Sequence, residues 1–422
     1  MNIEKYIADR ITSSKKDAAN ISKPIVKIGI LGIILGLAVM ILTISMVLGF
    51  KNEIIRKITG FTADMVIANI NPGSNGEQIP ITISKDSLAL FKKLPYIKHI
   101  QPIAIKNGII KTKTQNEGVL IKGINTEYDF SFLKDYLQEG ELPDYSKEEV
   151  SQSILISESL ASRLDLKLNQ KMLVYFIVQH EVTDSITNQT FIKFEQRSRN
   201  FVICGIFKTS FSDFDNNLAF ADLRQIQKLN YWEPHMAGNY EVRIKDSRLM
   251  EENASDFSEN LGMYYQLSTV RDLYSNIFIW LDKLDINGVI IIVLMVVVAV
   301  INMITALLIL ILERTNMIGL LKSLGMSNVN VRKIFFYISM KLLSRGLIWG
   351  NVIGISLCLL QYYFKIVKLD PSTYYVDSVA IELTWLYYLL LSIGTAIICM
   401  LFLFIPTIII SKITPIKSIR FD

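Results

Sequence analysis

Cysteine and histidine occur only three times each in 422 residues, which leaves little for redox or metal chemistry. Cys204, Cys358 and Cys399 form no CxxC pair and no disulfide framework, and the last two sit inside apolar runs, where cysteine behaves as a small buried hydrophobe. His99, His180 and His235 are scattered without metal-ligand spacing, so no metal site is expected. Catalytic motifs are missing too: there is no GxSxG elbow, no HExxH helix, and no SxxK or carboxylate pair in a register that chemistry could use. Asp213 and Asp215, two apart beside Phe and Asn, read as a turn rather than an acid–base pair. No G-x-x-x-x-G-K-[ST] loop occurs, so the chain cannot cradle ATP phosphates by that device, and energy for any work must come from another protein. A basic patch with interleaved aromatics is absent as well, which excludes a nucleic-acid partner. The chain is therefore read as a non-enzyme that binds no cofactor of its own.

What the sequence does have is long apolar runs. Half of it (51%) is hydrophobic, yet 20% is charged and the net charge is only +5, so some segments suit lipid and others water. A membrane-crossing helix needs about 20 apolar residues at 1.5 Å rise each. Four runs qualify: 25–48, 286–312, 334–364 and 385–410. The first is too long for a signal-peptide core and is followed by Gly49-Phe50-Lys51-Asn52 rather than a cleavage site, so it reads as an uncleaved anchor. Pro406 near the end of the fourth is tolerable where neighbouring helices satisfy the freed carbonyl.

Orientation follows from basic residues in short flanks. Lys5, Arg10, Lys15, Lys16, Lys23 and Lys27 precede the first run; Arg314, Lys322, Arg332 and Lys333 lie between the second and third; Lys412, Lys417 and Arg420 follow the fourth. The 365–384 loop holds only Lys365 and Lys368, offset by Asp370, Asp377 and Glu382. The N-terminal segment 1–24, the loop 313–333 and the tail 411–422 are thus expected in the cytoplasm, and the large segment 49–285 outside it.

That outer segment reads as mixed α and β. Strands are expected near 65–70, on both sides of Gln115-Asn116-Glu117-Gly118, and at 154–156 and 171–178; short helices are expected at 87–93 and 157–164, the latter capped by Ser157 or Ser159. Polar and β-branched residues between two β-runs predict a protruding hairpin over 179–199.

In the 313–333 loop, Met317, Leu320, Leu321 and Leu324 recur at i, i+3, i+4 and i+7, one apolar face of a short helix, with Gly325 as its C-cap and Ser327 capping the next helix. Such a helix can lie on a membrane surface or dock in a groove of a soluble partner. Gly29, Gly32 and Gly36 in the first run, and Gly346, Gly350 and Gly354 in the third, allow close helix packing, within the chain or between copies. No carboxylate lies in mid-run, which argues against ion-coupled transport; Lys341 and Arg345 are placed to snorkel.

The order of one span, outer domain and three spans, with the loop Ile318-Gly319-Leu320-Leu321-Lys322-Ser323-Leu324-Gly325-Met326-Ser327, resembles the FtsX/MacB-like permeases of ABC systems. Within them the chain is most similar to the lipoprotein-releasing permeases, the LolC/LolE family, on residues 31–36 and Leu48-Gly49-Phe50, the segment 201–215 (FVICGIFKTSFSDFD) and the loop Leu369-Asp370-Pro371-Ser372-Thr373-Tyr374-Tyr375. The resemblance implies a helical inner-membrane protein with four transmembrane helices (1+3) and a large mixed α+β periplasmic domain of the MacB-like type, in two subdomains. It implies a permease subunit that extracts lipoproteins and passes them to a LolA-like periplasmic carrier. ATP and Mg would sit on a LolD-like ATPase dimer, engaged through a coupling helix carrying Arg314, Met317, Ile318, Leu320, Leu321, Lys322, Leu324 and Gly325. A second permease, copy or paralogue, would complete the cargo path, whose wall here would be Met40, Ile41, Ile44, Met46 and Val47. The hairpin would lie where the LolC carrier-binding hook occurs, offering Val182, Thr183, Ile186, Thr187 and Phe191, although it has no proline near its tip. The alternatives are a MacB-type efflux permease and an FtsX-like scaffold that signals to a cell-wall hydrolase.

Overall fold

The computed structural model describes residues 3–13, 22–71, 73, 77–112, 115–183 and 190–412. The chain forms two units, one made of Met1–Asn52, Trp280–Lys368 and Ser378–Asp422, the other of Glu53–Ile279 together with Leu369–Asp377. It therefore passes between them four times, where the sequence alone suggests two.

Among the described residues four helices are long and apolar enough to cross a membrane, with mean hydropathies of 2.7, 3.0, 1.5 and 2.5. The first runs Ser22–Thr62, well beyond the 25–48 read from hydropathy, because nothing after Gly49 breaks it. It stops where Ala63 takes a left-handed φ of 64°. The second spans Ser275–Glu313 and the third Asn328–Phe364, the latter capped as expected by Ser327, whose side chain accepts from Asn330 N. The fourth departs from a single helix: Trp385–Phe402 ends, Leu403 is a turn, and Phe404–Lys412 resumes. Pro406 explains the break, since it removes the N–H that would bond the Phe402 carbonyl.

A helix over Ile3–Ser13, not foreseen in the N-terminal segment, packs on the third apolar helix, with Ala8 fully buried there. Its Asp9 pairs with Lys341 at 2.5 Å. Lys341 thus has a carboxylate partner beyond the snorkelling that its stem allows.

The described strands of the other unit are β1 Met65–Asn69, β2 Ile97–Lys111, β3 Asn116–Ile124, β4 Leu137–Gly140, β5 Ser153–Ser157, β6 Lys171–Thr183, β7 Thr190–Phe207, β8 Leu218–Asp222, β9 Asn239–Ile244 and β10 Tyr265–Thr269. Among the described residues they form a ten-stranded mixed sheet in the order β10-β1-β9-β2-β3-β8-β5-β7-β4, with β6 paired to β2 and β7. The long β2 joins two parts of the sheet, its first half pairing with β9 and its second with β3. The expected strands at 65–70, 154–156 and 171–178 and the hairpin around 115–118 are all present. The short helices are Lys85–Lys93, capped by Ser84, and Glu158–Leu164, capped by Ser157. Val119, Ile121, Ile154, Ile156, Val174, Phe176, Phe201 and Ile203 form the main core, with Leu223 and Ile226 covering it from the helix Leu223–Asn230.

Candidate functional site

The first apolar helix is gripped on two sides by its own chain. On one side Gly29, Gly32 and Gly36 meet the second helix. A Cβ on Gly29 would fall 2.6 Å from Ala306 Cβ, and Asn302 lies directly against Gly32. On the other, Gly346, Gly350 and Gly354 of the third helix admit Ile33, Leu37 and Ile41, a Cβ at Gly350 falling 3.0 Å from Leu37 Cβ. Glycines on one partner of each seam let backbones close up where lipid offers no hydrophobic driving force. Polar ties bring in the fourth helix: Asn351 of the third donates to Ser392 Oγ at 2.9 Å, and Ser45 Oγ of the first meets the Tyr388 hydroxyl at 2.7 Å.

This packing sorts the residues expected on the cargo wall. Met40 and Ile41 are fully buried inside the chain, Ile44 and Val47 are half-buried, and Met46 is exposed. Within one chain, an open wall is offered by Met46 and partly by Ile44 and Val47. Just beyond, Gly49 allows the backbone of 380–382 to approach, a Cβ there falling 2.6 Å from the Ala380 carbonyl oxygen, while Glu382 N donates to Ser45 O at 3.0 Å. Phe50 packs edge-on to Trp280 and Lys51 pairs with Asp285. The Leu48-Gly49-Phe50 motif is thus a close-approach point.

The loop between the second and third apolar helices contains a helix over Thr315–Ser323. Its end is a Schellman turn: Gly325, at φ +90°, donates to Lys322 O at 3.0 Å and Met326 N reaches Leu321 O at 3.0 Å. The apolar residues do not share one fate. Ile318 is fully buried, with Met317 and Leu321 packed beside it, whereas Leu320 is 56% and Leu324 75% exposed. Arg314 sits at the N-cap, half-buried, and Lys322 donates to the Ile410 carbonyl at 2.6 Å. The structure therefore leaves a two-leucine stripe one turn apart, free to pack on something else.

Two other motif segments come together in the sheet unit. Pro371–Tyr374 is a single helical turn capped by Asp370, and it packs on the 201–215 segment. Tyr375 stacks on Phe211 at 4.7 Å between ring centroids, and Ser212 Oγ donates to Pro371 O at 3.1 Å. Phe211 stacks on Phe214, which meets Phe61 at 4.4 Å. Lys57, buried, gives its ammonium to the Tyr375 carbonyl at 3.2 Å. Burial lowers the Lys57 pKa, opposed by the carboxylates of Glu53, Asp377 and Asp215. Sequence reasoning named both segments as motifs but gave no sign that they touch.

Asp215 is held by structure, not poised for chemistry. It accepts from Thr209 N, Thr209 Oγ1 and Ser210 N, at 3.1, 2.7 and 2.8 Å, and caps a turn in which Ser210 is left-handed. Burial raises its carboxyl pKa despite those donors. Asp213 and Asp215 share the one-turn helix Ser212–Asp215, as a turn reading expects. Among the described residues no cluster of His, Cys, Asp or Glu could hold a metal.

The hairpin is longer than its sequence signal, with β6 and β7 paired from Lys171↔Val202 to Thr183↔Thr190. Ile186 and Thr187 lie outside the described residues, as do the side chains of Val182, Thr183 and Phe191. Nearer the base, Ile109, Ile177 and Phe194 are 48%, 56% and 58% exposed on the face away from the core. The signal for this patch was the unbroken apolar run 172–178, which puts hydrophobic residues on both faces of β6.

A family model for the MacB-like periplasmic core domain matches residues 28–259, and one for the FtsX-like permease C-terminal region matches 289–415. Among curated relatives, the lipoprotein-releasing system transmembrane protein LolE of Haemophilus influenzae is 22% identical over 406 residues, 93% of each chain. LolC of Xylella fastidiosa is 21% identical over 405 residues, again 93% of each. Among solved structures, the periplasmic region of MacB from Actinobacillus actinomycetemcomitans is similar at TM-score 0.35 and 16% identity, over 53% of this chain and 97% of that one.

Proposed function

This chain belongs to the family of FtsX-like permeases with a MacB-like periplasmic core domain, and from that premise we propose that it is the transmembrane permease subunit of an ATP-driven complex that releases lipoproteins from the inner membrane. One observation carries this reading. Relatives named for lipoprotein release match over 93% of both chains, outer domain and apolar helices together, and this sequence has no phosphate-binding loop.

In this reading all four apolar helices cross the membrane, one before the periplasmic domain and three after it. The basic flanks put both termini and the loop between the second and third helices in the cytoplasm. Leu320 and Leu324 are the knobs that seat in a groove of a separate ATPase dimer, on a helix whose other face is anchored by Ile318. Two permease subunits, alike or paralogous, enclose the cargo path. Exposing acyl chains to water costs about 0.8 kcal/mol per CH₂, tens of kcal/mol for three full chains, so extraction needs an apolar route between helices. Met46, with Ile44 and Val47, lines that route on this subunit, and a periplasmic carrier takes the lipoprotein at the outer domain. Its docking through the β6–β7 hairpin is part of the proposal.

Depleting the protein in its host tests the function directly. Triacylated lipoproteins destined for the outer membrane are expected to accumulate in the inner membrane. Their normal release would refute the reading, and copurification with a tripartite efflux adaptor or a cell-wall hydrolase would replace it.

A further inference from the structure

A MacB-like permease needs only two chain crossings to hang a domain between its first and second apolar helices. This chain makes four, because Leu369–Asp377, in the loop between the third and fourth helices, is part of the sheet unit. The loop segment is well fixed there. Val376 is 2% exposed, Tyr375 N bonds Pro371 O at 3.0 Å, and Leu369 N bonds Asp377 O at 2.9 Å. Tyr375 holds a left-handed φ of 61°, a strained conformation for a non-glycine residue that persists only where its surroundings impose it. Those surroundings are specific: the Phe211 ring on one side and the Lys57 ammonium on the carbonyl. Lys57 is nearly solvent-free, an expensive place for an ammonium, which its bond to the Tyr375 carbonyl and the carboxylates of Glu53, Asp377 and Asp215 offset in part. A tie used only for stability would more cheaply be apolar.

We propose that the Pro371–Tyr375 turn is a coupling latch: Lys57 and Tyr375 are positioning residues that carry movement of the third and fourth helices into the periplasmic domain, and so link ATP turnover to lipoprotein handover. The inference rests on the transport reading above. Because the turn is continuous in chain with both helices, any shift of their outer ends pulls on it. The Phe211–Phe214–Phe61 stack then passes that pull to the sheet and to the end of the first apolar helix.

The test uses the complete complex in proteoliposomes with a triacylated lipoprotein and carrier outside. Tyr375→Ala and Lys57→Met are compared with Tyr375→Phe, which keeps the stack and the carbonyl. Two readouts are taken besides ATPase rate and thermal melting: lipoprotein release, and ATP-dependent hydrogen exchange of the 201–222 peptides. The proposal expects ATPase rates within about twofold of the parent and release slowed by about tenfold in Tyr375→Ala and Lys57→Met, the ATP-dependent exchange change lost with it, and both restored in Tyr375→Phe. If release in the first two variants equals the parent's, the latch is refuted while the transport reading stands. A parallel fall of melting, ATPase and release would also refute it, by showing a merely structural tie. If the parent complex releases nothing, the transport reading fails, and the exchange data still decide: an ATP response present in the parent and lost in Tyr375→Ala supports the latch, and one retained overturns it. Should Tyr375→Ala not fold, Ser212→Ala with Lys57→Met removes two polar ties while leaving the aromatic stack in place.

Discussion

The buried pair Lys122–Glu241 permits a sharp test of what holds the ten-stranded sheet together. Lys122 on β3 is 3% exposed and Glu241 on β9 is 1% exposed, with Nζ and Oε1 2.5 Å apart. Lys122 also donates to the Phe61 carbonyl, and Gln101 on β2 donates to Glu241 Oε2 at 2.8 Å. At an effective dielectric near 20, two charges 2.5 Å apart attract by about 7 kcal/mol. Desolvating both ions costs several kcal/mol each, so the pair comes out near neutral against an apolar replacement. Burial lowers the Lys122 pKa, with Glu241 opposing it. Breaking the pair is another matter. Glu241→Gln leaves a buried ammonium without its carboxylate and is expected to cost about 3–5 kcal/mol, and Lys122→Met about the same. In Lys122→Met with Glu241→Met both charges go, and what remains are the orphaned Gln101 amide and Phe61 carbonyl, about 1–3 kcal/mol each. Because the chain has two units, a melting temperature yields no free energy for the sheet alone. Hydrogen-exchange opening free energies of β3 and β9 peptides in the full-length protein do. A Glu241→Gln cost under about 1 kcal/mol, or a double variant as costly as its two singles combined, would refute the reasoning.

Other outcomes follow from the same geometry. Leu320→Ser with Leu324→Ser removes two exposed side chains worth about 2 kcal/mol each on burial, so ATPase binding measured on the solubilised chain should weaken by about a thousandfold while helicity is unchanged. Gly350→Leu drives a branched side chain into Leu37, which a Cβ already meets at 3.0 Å, and should cost about 1–3 kcal/mol and reduce monodisperse yield. Gly394→Leu, whose Cβ would meet nothing within 4 Å, should not. Cys204 donates its thiol to Ile154 O at 3.2 Å, and burial pushes its pKa up to about 11. At pH 7 only about one molecule in ten thousand is thiolate, so its alkylation by a maleimide should run on the order of a hundredfold slower than that of a free thiol and climb about tenfold per unit up to pH 10. A fast reaction whose rate levels off near about pH 8.5 would show the thiol exposed.

The membrane part was the easier part to read. Length and hydropathy revealed four apolar helices because lipid demands a long unbroken run, and glycine spacing revealed the seams because only a missing Cβ lets helices touch. Gly325 and Ser327 were legible as caps for the same local reason. What sequence could not tell was which of Met317, Leu320, Leu321 and Leu324 would be free. That depends on Ile318 finding the third helix, a contact set by tertiary packing. Met40 and Ile41 show the same limit, since an apolar residue in a span looks alike whether it faces cargo, lipid or Gly354. The Pro406 break was visible as a proline, but its placement at Leu403 was not. The contact between 201–215 and 369–375 joins residues about 160 positions apart, and no periodicity reports such a pairing.

The nine loop residues in the sheet unit also bear on how this protein can be handled in pieces. A fragment cut at 53 and 279 looks like a natural excision, yet it would leave behind the cover of Phe211, which is 0% exposed in the whole chain. An aromatic face bared in this way invites self-association. The peptide Leu369–Asp377 supplied in trans, or spliced onto the fragment's end, should restore a soluble monomer. In gene-level terms, an insertion between the third and fourth helices would damage a domain encoded about ninety residues upstream.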